Sequence, residues 1–463
     1  MNIPPLLRLP DTLWLVILVV YILAGAPLVP FHGDEATQIY MSRDYQYQFI
    51  ERDLSRVLYS QPPLSAQEQH LRLLNGTVNK YLIGLAWHLG GLTIADINEQ
   101  WDWGADWNYN QTTGHAPSPE LLMISRWPSA GLLVLGLLPM FLLGLKLGGR
   151  PAASLAALLY ALHPTLLING RRAMMEGSLI AFSLFVVLFA VWLLDARTMR
   201  GRLGAAVALG IASGLALASK HTAVFALTGV YGGIGLWLLA RYIWRKNAGT
   251  PYRASVINPD NAGVVPTPNK AFNPRQIVVL TLLSVLLAAL TFLALNPAWW
   301  GDPVARAGEV LRLRGELLDG QTAAFGGYTD WGERLAGFAR QTFAAAPQYY
   351  EIADWQNYID DQIARYEASG LSGIAGSPLL GAALFALMLI GLWALWRDQQ
   401  RSAAARWIAA GWALAALASA ALLTPIEWAR YYLPAIPATM LLAAVGAAWV
   451  LRAILNRTAA RTA

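Results

Sequence analysis

Two adjacent acids, Asp34 and Glu35, follow directly after the first long apolar run of the chain, residues 13–30. A carboxylate in such a place can take a proton from a hydroxyl group in a general-base step. Acids at the start of a helix also simply favour the helix dipole. The pair therefore predicts chemistry only if suitable partners lie beside it.

Basic residues recur near the ends of the later apolar runs. Arginine binds phosphate through a planar fork and lysine binds it as a point charge, so such residues can stabilise a phosphate leaving group. Each of them alone is also typical of an anchor at the membrane surface. Together they predict a site for an anionic headgroup, with Arg171, Lys220 and Arg430 as the phosphate clamp. The candidate residues for substrate binding are Lys80, Arg126, Arg171, Arg172, Glu176, Lys220, His221, Arg430 and Tyr431.

Charge-free apolar runs of membrane-spanning length must position these residues. A helix needs about 20 apolar residues to cross the hydrocarbon, and the sequence predicts an all-α integral membrane protein with ten spans. A further apolar stretch, residues 81–94, is only 14 residues long and favours an interfacial helix; if it crosses, the count becomes eleven. The predicted spans are 12–31, 127–145, 151–169, 177–194, 203–219, 222–240, 276–296, 377–396, 405–422 and 432–451.

The distribution of charge predicts the orientation of the chain. With the N-terminus inside, the inner pieces hold 18 of the 34 Lys and Arg residues in about 81 residues, whereas the outer pieces hold 16 in about 194. The acids divide as 4 inside and 24 outside. This agrees with the positive-inside rule and predicts a multi-pass protein of the cell membrane, plasma or inner, with both termini cytoplasmic. Residues 1–463 form one membrane domain with two large outer loops, 32–126 and 297–376.

Composition excludes several classes of protein. The chain of 463 residues is 56% hydrophobic and 13% charged and contains no cysteine, so a soluble enzyme, a disulfide scaffold and a thiol nucleophile are excluded. The histidines are scattered singly, so the sequence predicts no zinc site and no required cofactor, although a divalent metal stays open. Partners are the lipid bilayer and an anionic lipid, with no nucleic acid.

Seven segments in order, spread over residues 12–445, give a family resemblance. They are HGDEATQIYMSRD, NGTVNKYLIGLAWHLGG, MISRWPSAGLL, LLINGRRAMMEGSLIAF, GLALASKHTAVF, NPAWW and RYYLPAIPATMLL. In these segments the chain resembles the C-type membrane glycosyltransferases. Within them it is similar to glycosyltransferase family 39, the protein O-mannosyltransferases, which are related to the lipid A aminoarabinose transferases.

The resemblance implies a polyprenyl-phosphate-linked sugar donor, transfer to an acceptor hydroxyl at the extracytoplasmic face, and inversion at the anomeric carbon. The acceptor class, whether lipid, glycan or protein, stays open, as does the choice between a hexose and a pentose. The family pattern also implies that Asp34 is the general base, with Glu35 orienting it or sharing its role. By the same pattern Lys80, Arg126 and Arg171 with Glu176 contact the substrate.

Two alternatives stay open at this point. One is a non-catalytic lipid or glycan transporter or flippase, which shares a pocket for an anionic headgroup but does not need the acidic pair. The other is a transferase of a different lipid-linked group. The chain also departs from the family at residues 75–78, which read NGTV where the family has HPPL.

Overall fold

The structure, a computed structural model, describes residues 8–247, 273–344, 347–398 and 402–462. This part of the chain is helical and contains no β-strand. Eight of its helices are long and apolar enough to cross a membrane, which confirms the prediction of an all-α, multi-pass membrane protein. They are Pro119–Gly148, Glu176–Asp195, Met199–Ser219, Ala223–Ile243, Pro274–Leu295, Pro378–Arg397, Ala403–Leu423 and Ile436–Thr458.

The two remaining predicted spans fall on helices that differ from simple crossings. Helix Leu9–Ala24 has only 16 residues, and the third predicted span is a pair, Arg150–Leu162 and Pro164–Arg171, bent by 60°. The bend lies at Pro164, which lacks a backbone N–H and forces the residue before it out of the helical conformation. Over the described residues the count is therefore eight, or nine with the bent pair, and the predicted count of ten or eleven is not confirmed.

Shorter helices occupy the two long loops. Helix Val78–Leu89 contains residues 81–89 of the short apolar stretch. Its 12 residues reach only about 18 Å, less than the hydrocarbon thickness. The other helices of the first loop are Gly33–Met41, Arg43–Tyr45, Ala66–Leu74 and Trp107–Thr112, with short turns at Gln46–Ile50, Leu54–Arg56 and Ile94–Asp96. The second loop holds Pro303–Phe325, Trp331–Ala339, Ala353–Gln356 and Asp360–Ala368, with turns at Pro297–Trp299, Arg340–Ala344 and Asn357–Ile359.

Close helix packing fixes the membrane part below the loops. Helices Pro378–Arg397 and Ile436–Thr462 approach each other at Gly391 and Gly446, where a Cβ atom on either glycine would collide with a backbone carbonyl of the other helix. Small residues allow such close contact in membrane helices. The last helix is thereby held in place, and the turn Ala429–Tyr432 just before it is positioned on the loop side.

Aromatic side chains join the two long loops to each other. Trp101 and Trp107 of the first loop pack in one buried cluster with Tyr349, Tyr350 and Tyr366 of the second. At its edge, the ring of Trp103 stacks on that of Trp355 with centroids 5.4 Å apart. The loops therefore form one layer over the membrane helices, and a cavity lies between that layer and the helix ends.

Candidate active site

A cavity of about 860 Å³ lies where the two loops meet the ends of the membrane helices. Its acidic lining residues are Asp34, Glu99, Asp102, Glu176 and Glu351, and its lysine and arginine residues are Lys220, Arg314 and Arg430. Aromatic rings of Trp101, Trp103, Tyr350, Trp428 and Tyr431 form part of the wall. Charged groups of both signs thus face one space together with large apolar surfaces.

Asp34 enters this cavity from the first turn of helix Gly33–Met41. The backbone N–H of Asp34 donates to His32 Nδ1 at 3.0 Å, and the N–H of His32 donates to Glu35 Oε2 at 3.1 Å, which caps the helix. Gly33 is required at this place because a Cβ there would lie 2.9 Å from Trp101 Nε1 and from the Tyr350 hydroxyl. The helix start is therefore fixed tightly around the carboxylate.

Asp34 is one corner of a charged network. The Arg430 guanidinium contacts the Asp34 carboxylate, and Arg430 Nε lies 3.2 Å from Glu351 Oε1. The other Glu351 oxygen, Oε2, lies 2.6 Å from His32 Nε2. Burial is the largest single influence and raises the pKa of both acids, but Arg430 and His32 together lower it by more, so the pKa of Asp34 and of Glu351 lies below the usual range.

Glu35 points away from the cavity, although it is adjacent to Asp34 in sequence. Its side chain is 0% exposed and accepts two hydrogen bonds from Arg126, at 2.7 and 2.8 Å. A third comes from the backbone N–H of Ala173 at 2.9 Å. The two acids therefore occupy different environments: Asp34 faces the cavity, whereas Glu35 ties the first loop to the membrane helices.

Three of the predicted binding residues lie at the cavity beside Arg430. Lys220 Nζ donates to Glu176 Oε1 at 2.7 Å, while Glu176 Oε2 has no hydrogen-bond partner among the described residues. The Tyr431 hydroxyl donates to Gln321 Oε1 at 2.7 Å. Glu176 begins helix Glu176–Asp195 and Lys220 ends helix Met199–Ser219, so this pair sits where the helices leave the membrane.

The other predicted cations do not line the cavity, because their donors are used elsewhere. Arg171 donates to the backbone carbonyls of Tyr21 and Ile22 at 2.7 and 2.8 Å. Arg172 donates to the carbonyls of Pro30 at 2.9 Å and Tyr349 at 2.6 Å.

Lys80 and His221 are also placed outside the cavity wall. Lys80 is buried against Asp44 at 2.5 Å, and Arg72 binds the same carboxylate at 2.7 Å. The ring of His221 packs against Trp299 with centroids 5.6 Å apart. Of the eleven residues that the sequence grouped, the structure thus brings Asp34, Glu176, Lys220, Arg430 and Tyr431 together at the cavity.

Arg314 and Glu351 are charged cavity residues near Arg430 that the sequence patterns did not indicate. Arg314 lies on helix Pro303–Phe325, one turn after the buried Val310, and that spacing was the only signal that it faces inward. It makes no hydrogen bond or ion pair with the part of the chain that the structure describes. Glu351 lies in a stretch without regular structure, so no periodicity marks it. Within the described ranges no three His, Asp or Glu side chains are grouped so as to hold a metal ion.

Comparison with known families identifies part of the chain. Residues 69–298 match the sequence profile described as dolichyl-phosphate-mannose-protein mannosyltransferase. The match covers just under half of the chain, and this segment is similar to that family. The mannosyltransferase match confirms the resemblance predicted from the sequence, and it contains Glu176 and Lys220 but not Asp34, Arg314, Glu351 or Arg430. No curated protein matches the chain.

Solved structures show where the fold recurs. The archaeal oligosaccharyltransferase AglB from Archaeoglobus fulgidus, in complex with an inhibitory peptide and a dolichol-phosphate, matches 98% of this chain and 52% of its own, with 14% identity and a TM-score of 0.53. ArnT from Cupriavidus metallidurans bound to undecaprenyl phosphate matches 94% of this chain and 59% of its own, with 14% identity and a TM-score of 0.46.

A third match is partial. The S. cerevisiae protein O-mannosyltransferase Pmt1–Pmt2 complex bound to the sugar donor matches 63% of this chain and 33% of its own, with 15% identity and a TM-score of 0.38. The chain thus spans about three fifths or less of these solved chains. At this level of identity the comparison with AglB shows a shared fold.

Proposed function

We propose that the protein is a glycosyltransferase that moves a sugar from a polyprenyl-phosphate carrier to an acceptor hydroxyl at the extracytoplasmic face of the membrane. The observation that carries the proposal is the cavity between the outer loops and the helix ends, in which the Asp34 carboxylate faces the same space as three cations, Lys220, Arg314 and Arg430. The similarity of residues 69–298 to the mannosyltransferase family supports the same chemistry.

The proposed reaction is a single displacement. The acceptor oxygen attacks the anomeric carbon, and its proton passes to the Asp34 carboxylate as the new glycosidic bond forms. The bond between the anomeric carbon and the phosphate oxygen breaks, and the electron pair leaves with the phosphate. Because the incoming and leaving oxygens lie on opposite faces of the sugar, the configuration at the carbon inverts.

The leaving phosphate needs positive charge more than a proton, since the charge that develops on it is spread over its oxygens. We assign this task to Lys220, Arg314 and Arg430, which all line the cavity. Burial and the nearby Arg430 charge lower the pKa of Arg314. A bound phosphate would offset both effects, which makes Arg314 a suitable ligand for an anion.

The remaining predicted residues take positioning roles in this proposal. Glu35 with Arg126 and Lys80 with Asp44 hold the first loop, while Arg171 and Arg172 bind the backbone of neighbouring segments. The ring of His221 packs against Phe292 and Trp299, which would orient the chain next to it, where Lys220 lies.

Charge distribution supports the proposed location. The cavity lies on the side of the two long, acid-rich loops. The basic connections at 146–150 and 195–202 lie at the opposite helix ends, because helix Glu176–Asp195 begins at the cavity and Lys146 pairs with Asp195 at its far end. By the positive-inside rule that second side is cytoplasmic, which gives a cell-membrane protein with both termini inside.

The test is release of the carrier. Purified protein in detergent is incubated with a panel of polyprenyl-phosphate sugars, including mannose and aminoarabinose, and free polyprenyl phosphate is measured by mass spectrometry. We expect release, by transfer or by slow hydrolysis, for one of the donors and its loss in Asp34→Asn. A transporter or flippase would bind these lipids and release nothing, and wild-type release by Asp34→Asn would overturn the role of Asp34.

A further inference from the structure

We infer that Glu351 is a positioning residue that holds Arg430 and His32 while Arg430 turns from the base to the donor phosphate. The inference rests on the proposed function and adds to it a residue from the second long loop. It makes Glu351, and not Glu35, the carboxylate that works together with Asp34.

The contacts of Glu351 reach both parts of the machinery. One oxygen lies 3.2 Å from Arg430 Nε, and the other lies 2.6 Å from His32 Nε2. The neighbouring Tyr350 stacks its ring on the His32 imidazole with centroids 4.2 Å apart. The Gly33 N–H donates to the Tyr350 hydroxyl at 3.3 Å. Two consecutive residues of the second loop therefore clamp the helix turn that carries Asp34.

The hydrogen bonds also select one tautomer for a neutral His32 ring. Because His32 Nδ1 accepts the backbone N–H of Asp34, the proton of a neutral ring lies on Nε2 and is donated to Glu351. Glu351 thus fixes the ring that caps the Asp34 backbone. Loss of its charge would loosen the cap without removing any atom of the base itself.

Arg430 lies between two carboxylates, and this sets up a competition. In the free protein its guanidinium contacts Asp34, which makes Asp34 a weak base. A donor phosphate adds a third anion that binds the Nη groups of Arg430 and draws them from Asp34. Glu351 meanwhile keeps the Nε edge in place. Donor binding would therefore free Asp34 for the acceptor proton, so that the base becomes active when the donor is present.

Glu35 is not suited to this role despite its position next to Asp34. It is enclosed, does not line the cavity, and is paired through both oxygens with Arg126. It has no contact with Arg430. Glu35 therefore stabilises the scaffold, whereas Glu351 belongs to the charged network around Arg430.

The test compares Glu351→Gln with wild type in two measurements. The first is the Kd of undecaprenyl phosphate, the shared product of undecaprenyl-linked donors, in detergent. We expect the Kd of the variant to stay within about threefold of the wild-type value or to be lower, because one negative charge near the phosphate is removed. The second is kcat for transfer or hydrolysis, which we expect to fall at least about tenfold, since misplacement of reacting groups has effects of this size.

A pH profile separates positioning from a general loss of structure. Asp34 is faced by His32, Arg430, Glu351, Arg314, Tyr350 and Tyr431. Of these, Glu351 raises the proton affinity of Asp34, so its neutralisation should move the acid limb of kcat/KM to lower pH. Glu351→Asp, which keeps the charge, should restore part of kcat. Glu427→Gln is the matched control, because Glu427 pairs with Arg340 and does not line the cavity.

The outcomes separate this inference from the proposed function. If wild type releases carrier from no donor, the proposed function fails whatever the variants do. If wild type is active and Glu351→Gln keeps its kcat, the inference is overturned. It is also overturned if Glu351→Gln, with the melting temperature of wild type, loses binding and kcat in equal proportion.

Discussion

The cations at the helix ends beside the two long loops fall into two regions with different surroundings. In the scaffold region, Arg126, Arg171 and Arg172 are almost fully buried, and backbone carbonyls or the Glu35 carboxylate bind their donors. In the cavity region, Lys220 and Arg430 share acids that also face the cavity, and Arg314 has no such partner among the described residues. A cation whose donors are already bound stabilises the fold, whereas a cation facing open space can bind a ligand.

The acidic pair gives the strongest test of this comparison, because Asp34 lies in the cavity region and Glu35 lies in the scaffold region. Asp34→Asn should lower the transfer rate by about 10² to 10⁴, the range for loss of a general base. Binding of undecaprenyl phosphate should persist, since Arg430 is then free for the phosphate. Steady-state transfer kinetics and a lipid-binding titration measure the two effects.

The paired variant Glu35→Gln should act on stability. Removing one partner of a buried ion pair costs about 3–5 kcal/mol, and Glu35 is 0% exposed and bonded to Arg126. We expect a clear fall in the melting temperature in detergent. A fully stable Glu35→Gln that has lost catalysis would instead move Glu35 into the active site.

Arg314→Met tests the cavity cation that has no hydrogen-bond or ion-pair partner among the described residues. A charge-assisted hydrogen bond contributes about 1.5–3 kcal/mol, so the Kd of undecaprenyl phosphate should rise about tenfold to a hundredfold. Thermal stability should stay near that of wild type, because Arg314 makes no ion pair with the described residues. Arg172→Met, the control from the scaffold region, should lose stability. Equal effects of the two variants on stability would erase the distinction between the regions.

The acid side of the pH profile tests whether the pKa of Asp34 changes when the donor binds. Its pKa is held below the usual range, so in the free protein it stays ionised to a lower pH than an ordinary aspartate, whose pKa is about 3.9. Activity measured as kcat/KM should therefore fall only as the pH drops through that lowered value. The acid limb of kcat should lie at higher pH, because bound donor draws Arg430 away. If the acid limbs of kcat and kcat/KM lay at the same pH, donor binding would not change the pKa of Asp34, which would contradict the proposed movement of Arg430.

The smallest effect is expected at the surface. Arg340 and Glu427 form an ion pair that is largely exposed on the Arg340 side. Such pairs contribute about 0–1 kcal/mol, so Glu427→Gln should shift stability and transfer very little. Thermal unfolding and the carrier-release assay check this baseline, and a large loss of activity would extend the functional site beyond the cavity.

The sequence predicted the helices better than it predicted the directions of their side chains. Apolar length marks the spans because the bilayer imposes it, and even the break at Pro164 follows from a residue type. In contrast, Arg171 and Lys220 look alike in sequence, and only the packed neighbours Tyr21, Ile22 and Glu176 decide that one is enclosed and the other faces the cavity. No sequence pattern could indicate Glu351 as a site residue, because only tertiary folding brings its partners, His32 and Arg430, close to it.

A structure of the full chain with undecaprenyl phosphate bound gives the most direct test. We predict that the phosphate lies within hydrogen-bonding distance of Lys220, Arg314 and Arg430, with Arg430 turned from Asp34 and still paired with Glu351. A phosphate bound instead by Lys80, Arg126 or Arg171, with the cavity cations unchanged, would contradict it.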